Sequence, residues 1–449
     1  MSRLNNIFLK YKNTSAFYFV IATLVIITVI IIELYFFIPL NKNINKEQNV
    51  NEIYFAANIS HAHKKIINRF NKINSGKIKV IPIDLSFKTF STNDRKELLT
   101  RSLRSKSDRM DIMEVDVIWV KRFAKWCLPL GEYFSKTERE KFLHDAIVSC
   151  FYNDSSLVAV PYYFDIGILY YRSDLLKKFL NYKKIESKLK NSITWKEFIN
   201  VSKKIKNYKN PFYIFSAEDY EGLVCSYIEL VLSQNRKFFS KHNFDLTLPE
   251  SEKALTTLVN FVRIEKISPP EVINFNENNG YEYFLKKDGI FFRGWPNFSK
   301  DNKNLYQDYS KTKYLLKAAL PHFEGTKPAY TIGGWNLMVS KYTSKRKQVI
   351  KFLKFIISEQ SQKIHYEEGG YLPALKKFYE DTLYLKKFPE LNYINEIQKY
   401  GVHRPQLEDY TRISDIISYY IRKAIKGEIT TKAALNEATN LIKTNRTIF

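Results

Sequence analysis

Residues 15–32 read SAFYFVIATLVIITVIII, eighteen uncharged residues in a row. As a helix, a run of that length is long enough to cross a bilayer's hydrocarbon core. It stands at the edge of the chain and is apolar on every side, which a buried core helix does not require. A membrane-spanning helix is therefore expected within 15–40. Arg3, Lys10 and Lys12 precede it without an acid, whereas Lys42 and Lys46 after it are offset by Glu47 and Glu52. Positive residues stay on the cytoplasmic side, which places 1–14 inside and everything beyond about residue 40 outside. A cleaved leader needs small residues before its cut site, and IPLNKN supplies none. A lipoprotein would need a cysteine there, and the first is Cys127. An uncleaved, single-pass signal anchor over 15–40 is the expectation, with an atypically cleaved signal peptide as the alternative and the polar stretch 41–51 as its spacer.

The remaining length exceeds one hydrophobic core and suggests two lobes. A 45% apolar fraction with 31 Tyr and 33 Phe excludes disorder for most of it. The formal charge is +25, yet Lys and Arg are scattered rather than gathered on one patch, so no nucleic-acid partner is expected. Attraction to an anionic membrane surface is the functional alternative to background composition. Cys127, Cys150 and Cys225 are widely spaced and odd in number and form neither a metal pattern nor a disulfide framework, though one pair could be oxidised outside the cytoplasm. Buried, inert thiols are expected, and no metal or cofactor. A phosphate-cradling GxxxxGK[ST] motif is missing, so any ATP hydrolysis belongs to a partner.

Strand and helix patterns alternate after the spacer. Strands are expected at 52–57, 79–85 and 115–120, with helices around 64–71 and 97–103 between them. That order argues for parallel βαβ units, whose ligands sit at the carboxyl ends of strands. The stretch 158–176 reads as two strands flanking a bend, then a helix after Ser173. Thr194 to Glu197, TWKE, is a capping box for a helix reaching Ile205. Helical patterns fill 220–265, 346–357 and 407–442.

Several residues could carry chemistry. Asp116 sits in an apolar segment with Trp119 beyond it, a costly place for a carboxylate unless hydrogen bonds satisfy it. Asp165 follows Tyr162 and Tyr163. Trp295 lies in FFRGWPNF, and Trp335 follows Gly333 and Gly334, where a backbone can approach a ligand closely. Carboxylates that accept from hydroxyls, beside aromatic faces that cover C–H surfaces, suit a carbohydrate. Each residue alone has a plainer reading, as core or as a turn cap.

The motifs EVDVIWVKRFAKWCLPL (114–130), AVPYYFDIGILYYRSDLLKK (159–178), EDYEGLVCSYIELVLSQN (218–235), KISPPEV (266–272), GIFFRGWPNF (289–298), LPHFEGTKPAYTIGGWNLMVSKYTSKRKQVIKFLKFI (320–356) and VHRPQLEDYTRISDII (402–417) occur in one order. Together they resemble the maltose-binding-protein-like class of ABC-importer solute receptors, and most of all its trehalose/maltose-binding branch, from about Glu52 to Lys443. The resemblance implies an α/β two-lobed, type II periplasmic-binding-protein clamp, one lobe holding 52–160 and 322–373, the other 162–320 and 375–449. It implies that Asp116, Asp165 and Arg404 hydrogen-bond sugar hydroxyls, that Tyr163, Trp295 and Trp335 stack on ring faces, and that Gly334 offers a backbone contact. Arg95, in TNDRKELL, matches a family arginine on the first lobe. Members of the class place a carboxylate just after the first strand; here NISHAHKK (58–65) has His61 and His63 instead, which makes His61 its expected replacement.

The resemblance thus implies a monomeric, non-enzymatic receptor for a di- or oligosaccharide, serving membrane permease subunits driven by a separate cytoplasmic ATPase. The alternatives are a glycoside hydrolase using Asp116 and Asp165, and the same fold tuned to a non-sugar solute or to signalling.

Overall fold

The computed structural model describes residues 15–37, 50–87, 89–153, 155–204, 210–298 and 309–448. Helix α1 (Ser15–Phe37) contains the apolar run. Its side chains are described from Phe19 to Ile30. Among the described residues no helix is long and apolar enough to cross a membrane. The rest of the expected span, the tail 1–14 and most of the spacer lie outside the described residues.

Beyond Val50 the expected βαβ pattern is present. Strands β1 (Asn51–Ala57), β2 (Ile78–Asp84) and β3 (Ile112–Asp116) pair in parallel in the order β2-β1-β3. Helices α2 (His61–Ile73) and α3 (Thr92–Arg104) connect them. Each helix starts where a serine takes up an otherwise unpaired N–H. Ser91 Oγ accepts from Asp94 N at 3.1 Å while Asp94 accepts from Ser91 N at 2.9 Å, and Ser60 does the same with His63. The α2 face formed by Ala62, His63, Ile66, Ile67 and Phe70 is buried.

One expected strand ends early. The strand is Ile112–Asp116 rather than 115–120, because Asp116 Oδ1 accepts from Ile118 N at 3.1 Å and turns Val117–Trp119 into a 3-10 helix. A short polar side chain that bonds the backbone two residues on competes with the ladder in this way. The TWKE box caps a helix at Trp195–Lys203, with Thr194 Oγ1 accepting from Glu197 N at 3.2 Å. The 220–265 region divides into Glu221–Gln234, Phe238–His242 and Pro249–Arg263.

The two strands around the expected bend, β4 (Val160–Ile166) and β5 (Ile168–Arg172), belong to different sheets. The second sheet has the order β8-β5-β7-β6, with β6 at Tyr213–Ile214, β7 at Phe291–Gly294 and β8 at Leu315–Ala318. The chain changes sheets at Gly167, because β4 keeps pairing along β9 (Tyr330–Val339) as far as Ile166. Strand β9 completes the first sheet. It runs antiparallel to β3 and β4 and parallel to β10 (Gly401–His403). All ten of its residues are buried, as in a strand covered on both faces.

Gly334 in β9 has φ +129°, and a Cβ there would lie 2.6 Å from the Tyr163 carbonyl oxygen. A side chain at this position is both strained and blocked. Gly334→Ala should lower the unfolding free energy by more than about 1 kcal/mol, measured by urea titration. Gly131→Ala, with nothing within 4 Å, should leave it within about 0.5 kcal/mol or raise it slightly.

Candidate functional site

The register of β9 assembles the site. Trp335 lies opposite Asp116 on β3 and opposite Tyr163 on β4, while Gly333 lies opposite Asp165. These residues open onto a cavity of about 250 Å³, near the small end of the roughly 300–1,000 Å³ typical of ligand pockets. Its far wall comes from the elements of the second sheet. There the first turns of α4 (Glu221–Gln234) and α5 (Glu277–Lys286) bring Glu221 and Glu277 to the cavity, and Trp295 follows β7. The Trp295 ring reaches across to the first sheet, where a Cβ on Gly333 would sit 3.1 Å from it.

Arg404, just after β10, bridges the two walls. Its Nη2 donates to Asp116 Oδ1 at 3.0 Å and its Nη1 to Glu221 Oε1 at 2.9 Å. Glu221 also accepts from Tyr410 Oη at 3.0 Å and from Ser414 Oγ. Burial raises the Glu221 carboxyl above its usual range, and Arg404 opposes that rise. Glu277 accepts from Trp295 Nε1 at 3.1 Å and from the Tyr220 hydroxyl, so the indole edge is fixed. Burial also raises Glu218 and Asp219 at the rim.

Asp165 is partly open to the cavity, and its nearest donor is Ile166 N at 3.0 Å. Removal of water from around the carboxyl pushes its pKa up to about 8, despite the Ile166 N–H and the Arg293 charge. Near neutral pH a group of this kind both donates and accepts.

Of the expected site residues, Asp116, Tyr163, Asp165, Trp295, Gly334, Trp335 and Arg404 line this one cavity. His61 does not. It is exposed at the first position of α2, where the helix phase turns it to solvent. Its neighbour His63 is buried with Nδ1 2.7 Å from Ser60 Oγ, and burial drives its imidazole down to about 3. The polar group that reaches the cavity after β1 is Asn58. Arg95 does not line the cavity either. Fully buried, it lies behind Trp335. Sequence reasoning missed Glu221 and Glu277, although the acid- and tyrosine-rich EDYEG at a helix start was a visible signal. The three cysteines are buried and unpaired, with burial raising each thiol. Among the described residues no three His, Cys, Asp or Glu side chains are grouped to hold a metal ion.

Two sheets joined by chain crossings at Gly167 and between β8 and β9, with an aromatic and acidic cavity lined from both, define a two-lobed solute-binding clamp. The chain matches the bacterial extracellular solute-binding protein family over residues 57–363 and belongs to it. A probable ABC transporter-binding protein of Deinococcus radiodurans is 27% identical over 361 residues, covering 78% of this chain and 82% of the relative. Maltose-bound MalE3 of T. maritima superposes with a TM-score of 0.78 at 25% identity, covering 88% of this chain and all of that one (100%). A tagatose-bound solute-binding protein of Thermotoga lettingae has the same fold, with a TM-score of 0.74 at 19% identity over 88% and 99% of the two chains. The chain is a binding protein and not an enzyme, which removes the hydrolase reading.

The Asp165 shift has a testable consequence. An acid whose folded pKa lies above its unfolded value binds more protons when folded. Its stabilising contribution is therefore present below about pH 4 and is lost as pH rises towards about 8. Between pH 5 and 8 the melting temperature of the wild type should fall relative to that of Asp165→Asn, and parallel curves would count against the shift.

Proposed function

We propose that the chain is the substrate-binding component of an ABC sugar importer, capturing a di- or oligosaccharide of the trehalose/maltose type between its lobes. The observation that carries this reading is the presence of two indoles, Trp335 and Trp295, in the lining of one cavity together with Asp116, Asp165 and Arg404. Aromatic faces match the C–H faces of pyranose rings, and the carboxyl and guanidinium groups match the hydroxyl rim. Tyr163 adds to the stack, and Gly334 leaves backbone open to the ligand. MalE3 supports the reading, since it is a maltose-bound protein.

In this mechanism the lobes rock about the crossing at Gly167 and the segments leading into β9 and out of β10. Sugar that touches both walls favours the closed form by its differential contacts. Closure removes water and strengthens each charged hydrogen bond. The closed receptor, acting as a monomer, then docks on permease subunits driven by a separate cytoplasmic ATPase. Residues 15–40 hold it to the membrane as an uncleaved anchor, with the receptor on the outer side. The 18-residue uncharged run and the charge bias around it support that placement.

A thermal-shift screen of trehalose, maltose, polyols, glycerol phosphodiesters and amines tests the ligand class. Trehalose or maltose should raise the melting temperature; a rise with another class and none with any sugar sinks the carbohydrate assignment. With the sugar that responds, Trp335→Ala should weaken binding at least about tenfold while the protein stays folded. The anchor is tested separately. The full chain should sediment with membranes, and a chain starting at Asn51 should not; a soluble full chain would remove the anchor.

A further inference from the structure

A buried cation lies behind each of the two cleft indoles. The Arg95 guanidinium carbon is 4.3 Å from the Trp335 ring centroid and 4.1 Å from that of Phe87. On the opposite wall the Arg293 guanidinium carbon is 4.3 Å from the Trp295 centroid. Both arginines are almost wholly inaccessible, at 0% and 1% exposure. Each is paired with a glutamate. Arg95 Nη2 lies 3.4 Å from Glu114 Oε2. Arg293 grips Glu229 twice, through Nε at 3.2 Å and Nη2 at 2.6 Å.

As stability devices these pairs are poor. A buried ion pair is commonly matched or bettered by apolar groups of the same shape. Here Arg95 Nε and Nη1 and Arg293 Nη1 also find no hydrogen-bond partner among the described residues. What the arginines do achieve is geometric. A flat guanidinium lies against an aromatic face as a lysine ammonium cannot, and the glutamate on its other side fixes its position.

The glutamates are themselves tied to the parts of the fold that make the cleft. Glu114 Oε2 accepts from Asn58 N at 2.9 Å, at the cavity's edge. Glu229 Oε1 accepts from Thr331 N at 3.2 Å, and the Thr331 carbonyl accepts from Gly167 N at 2.9 Å, where the chain changes sheets. Trp295 therefore has its face on Arg293, its N–H on Glu277 and its carbonyl on the Tyr170 hydroxyl at 2.7 Å.

We propose that Arg95 and Arg293, each locked by its glutamate, are positioning residues that hold the Trp335 and Trp295 indoles as rigid platforms before a sugar ring arrives. The proposal rests on the carbohydrate reading of the cleft. It assigns Arg95 a role through Trp335 instead of on the ligand itself, and it lowers the ordering cost of binding.

The test uses the ligand-free full chain and the 15N relaxation of its indole N–H groups. Arg95→Met with Glu114→Gln, and Arg293→Met with Glu229→Gln, remove each charge pair while leaving an acceptor for Asn58 N or Thr331 N. The melting temperature should be unchanged or higher, while the order parameter of the paired indole falls from roughly 0.85 to below roughly 0.6. Trp195, packed in the second sheet's aromatic core, should stay rigid in every variant. Arg95→Lys and Arg293→Lys form a second arm that keeps each glutamate compensated and loses only the flat group; the same selective loosening is expected. Folded variants whose paired indoles stay rigid, or whose tryptophans all loosen together, overturn the proposal. Because the readout needs no ligand, a failed sugar screen and rigid indoles are separate outcomes.

Discussion

The pairing of β9 with its neighbours is the constraint from which the cleft follows. Its side-chain period is two, so a one-residue slip would send Trp335 to the opposite face and separate it from Asp116 and Tyr163. The register against β4 shifts between Trp335 and Asn336, where Tyr163 and then Pro161 are the successive partners. Proline has no N–H to give the ladder, and such irregularities re-aim side chains. The same strand receives β10, which delivers Arg404 to Asp116. Position in one strand thus decides which aromatic, carboxylate and guanidinium groups meet.

The opposite wall depends on a different principle. Helix N-termini carry partial positive charge and unpaired N–H groups. At α4 and α5 these ends hold the chain's own Glu221 and Glu277. A solute meeting this wall finds oriented acceptors, each held by neighbouring hydroxyl, indole or guanidinium donors. The chain's +25 formal charge has little to do with this site, where Arg404 on the cavity surface is shared between two acids.

Features set by short-range chemistry were legible in the sequence. Alternating strand and helix patterns gave the parallel start of the first sheet, and serine and threonine caps marked α2, α3 and the helix at Trp195. Asp116, Tyr163, Asp165, Trp295 and Trp335 stood out because each lies in a compact motif, whereas Glu221 and Glu277 did not. Three things did not follow. The end of β3 depends on one side-chain bond from Asp116, which an apolar run conceals. Helix phase decides that His61 faces solvent while His63, two residues on, is buried. The roles of Arg95 and Glu221 are set by partners far along the chain, Trp335 and Arg404, and charge alone makes a buried arginine look like a ligand group.

Strand β9 also sets the order in which this molecule can be completed. Trp335 and its partner Asp116 are about two hundred residues apart in sequence, and pairings of such separation form slowly because loop closure precedes any reward. As the chain emerges in sequence order, β1, β2 and β3 can come together at once, but β3 keeps an open edge until almost the whole second sheet has appeared. An open edge of this kind is a template for wrong pairing. The interleaved topology, in which the first sheet is finished only after the second, therefore lengthens the interval in which the newborn chain is vulnerable to aggregation.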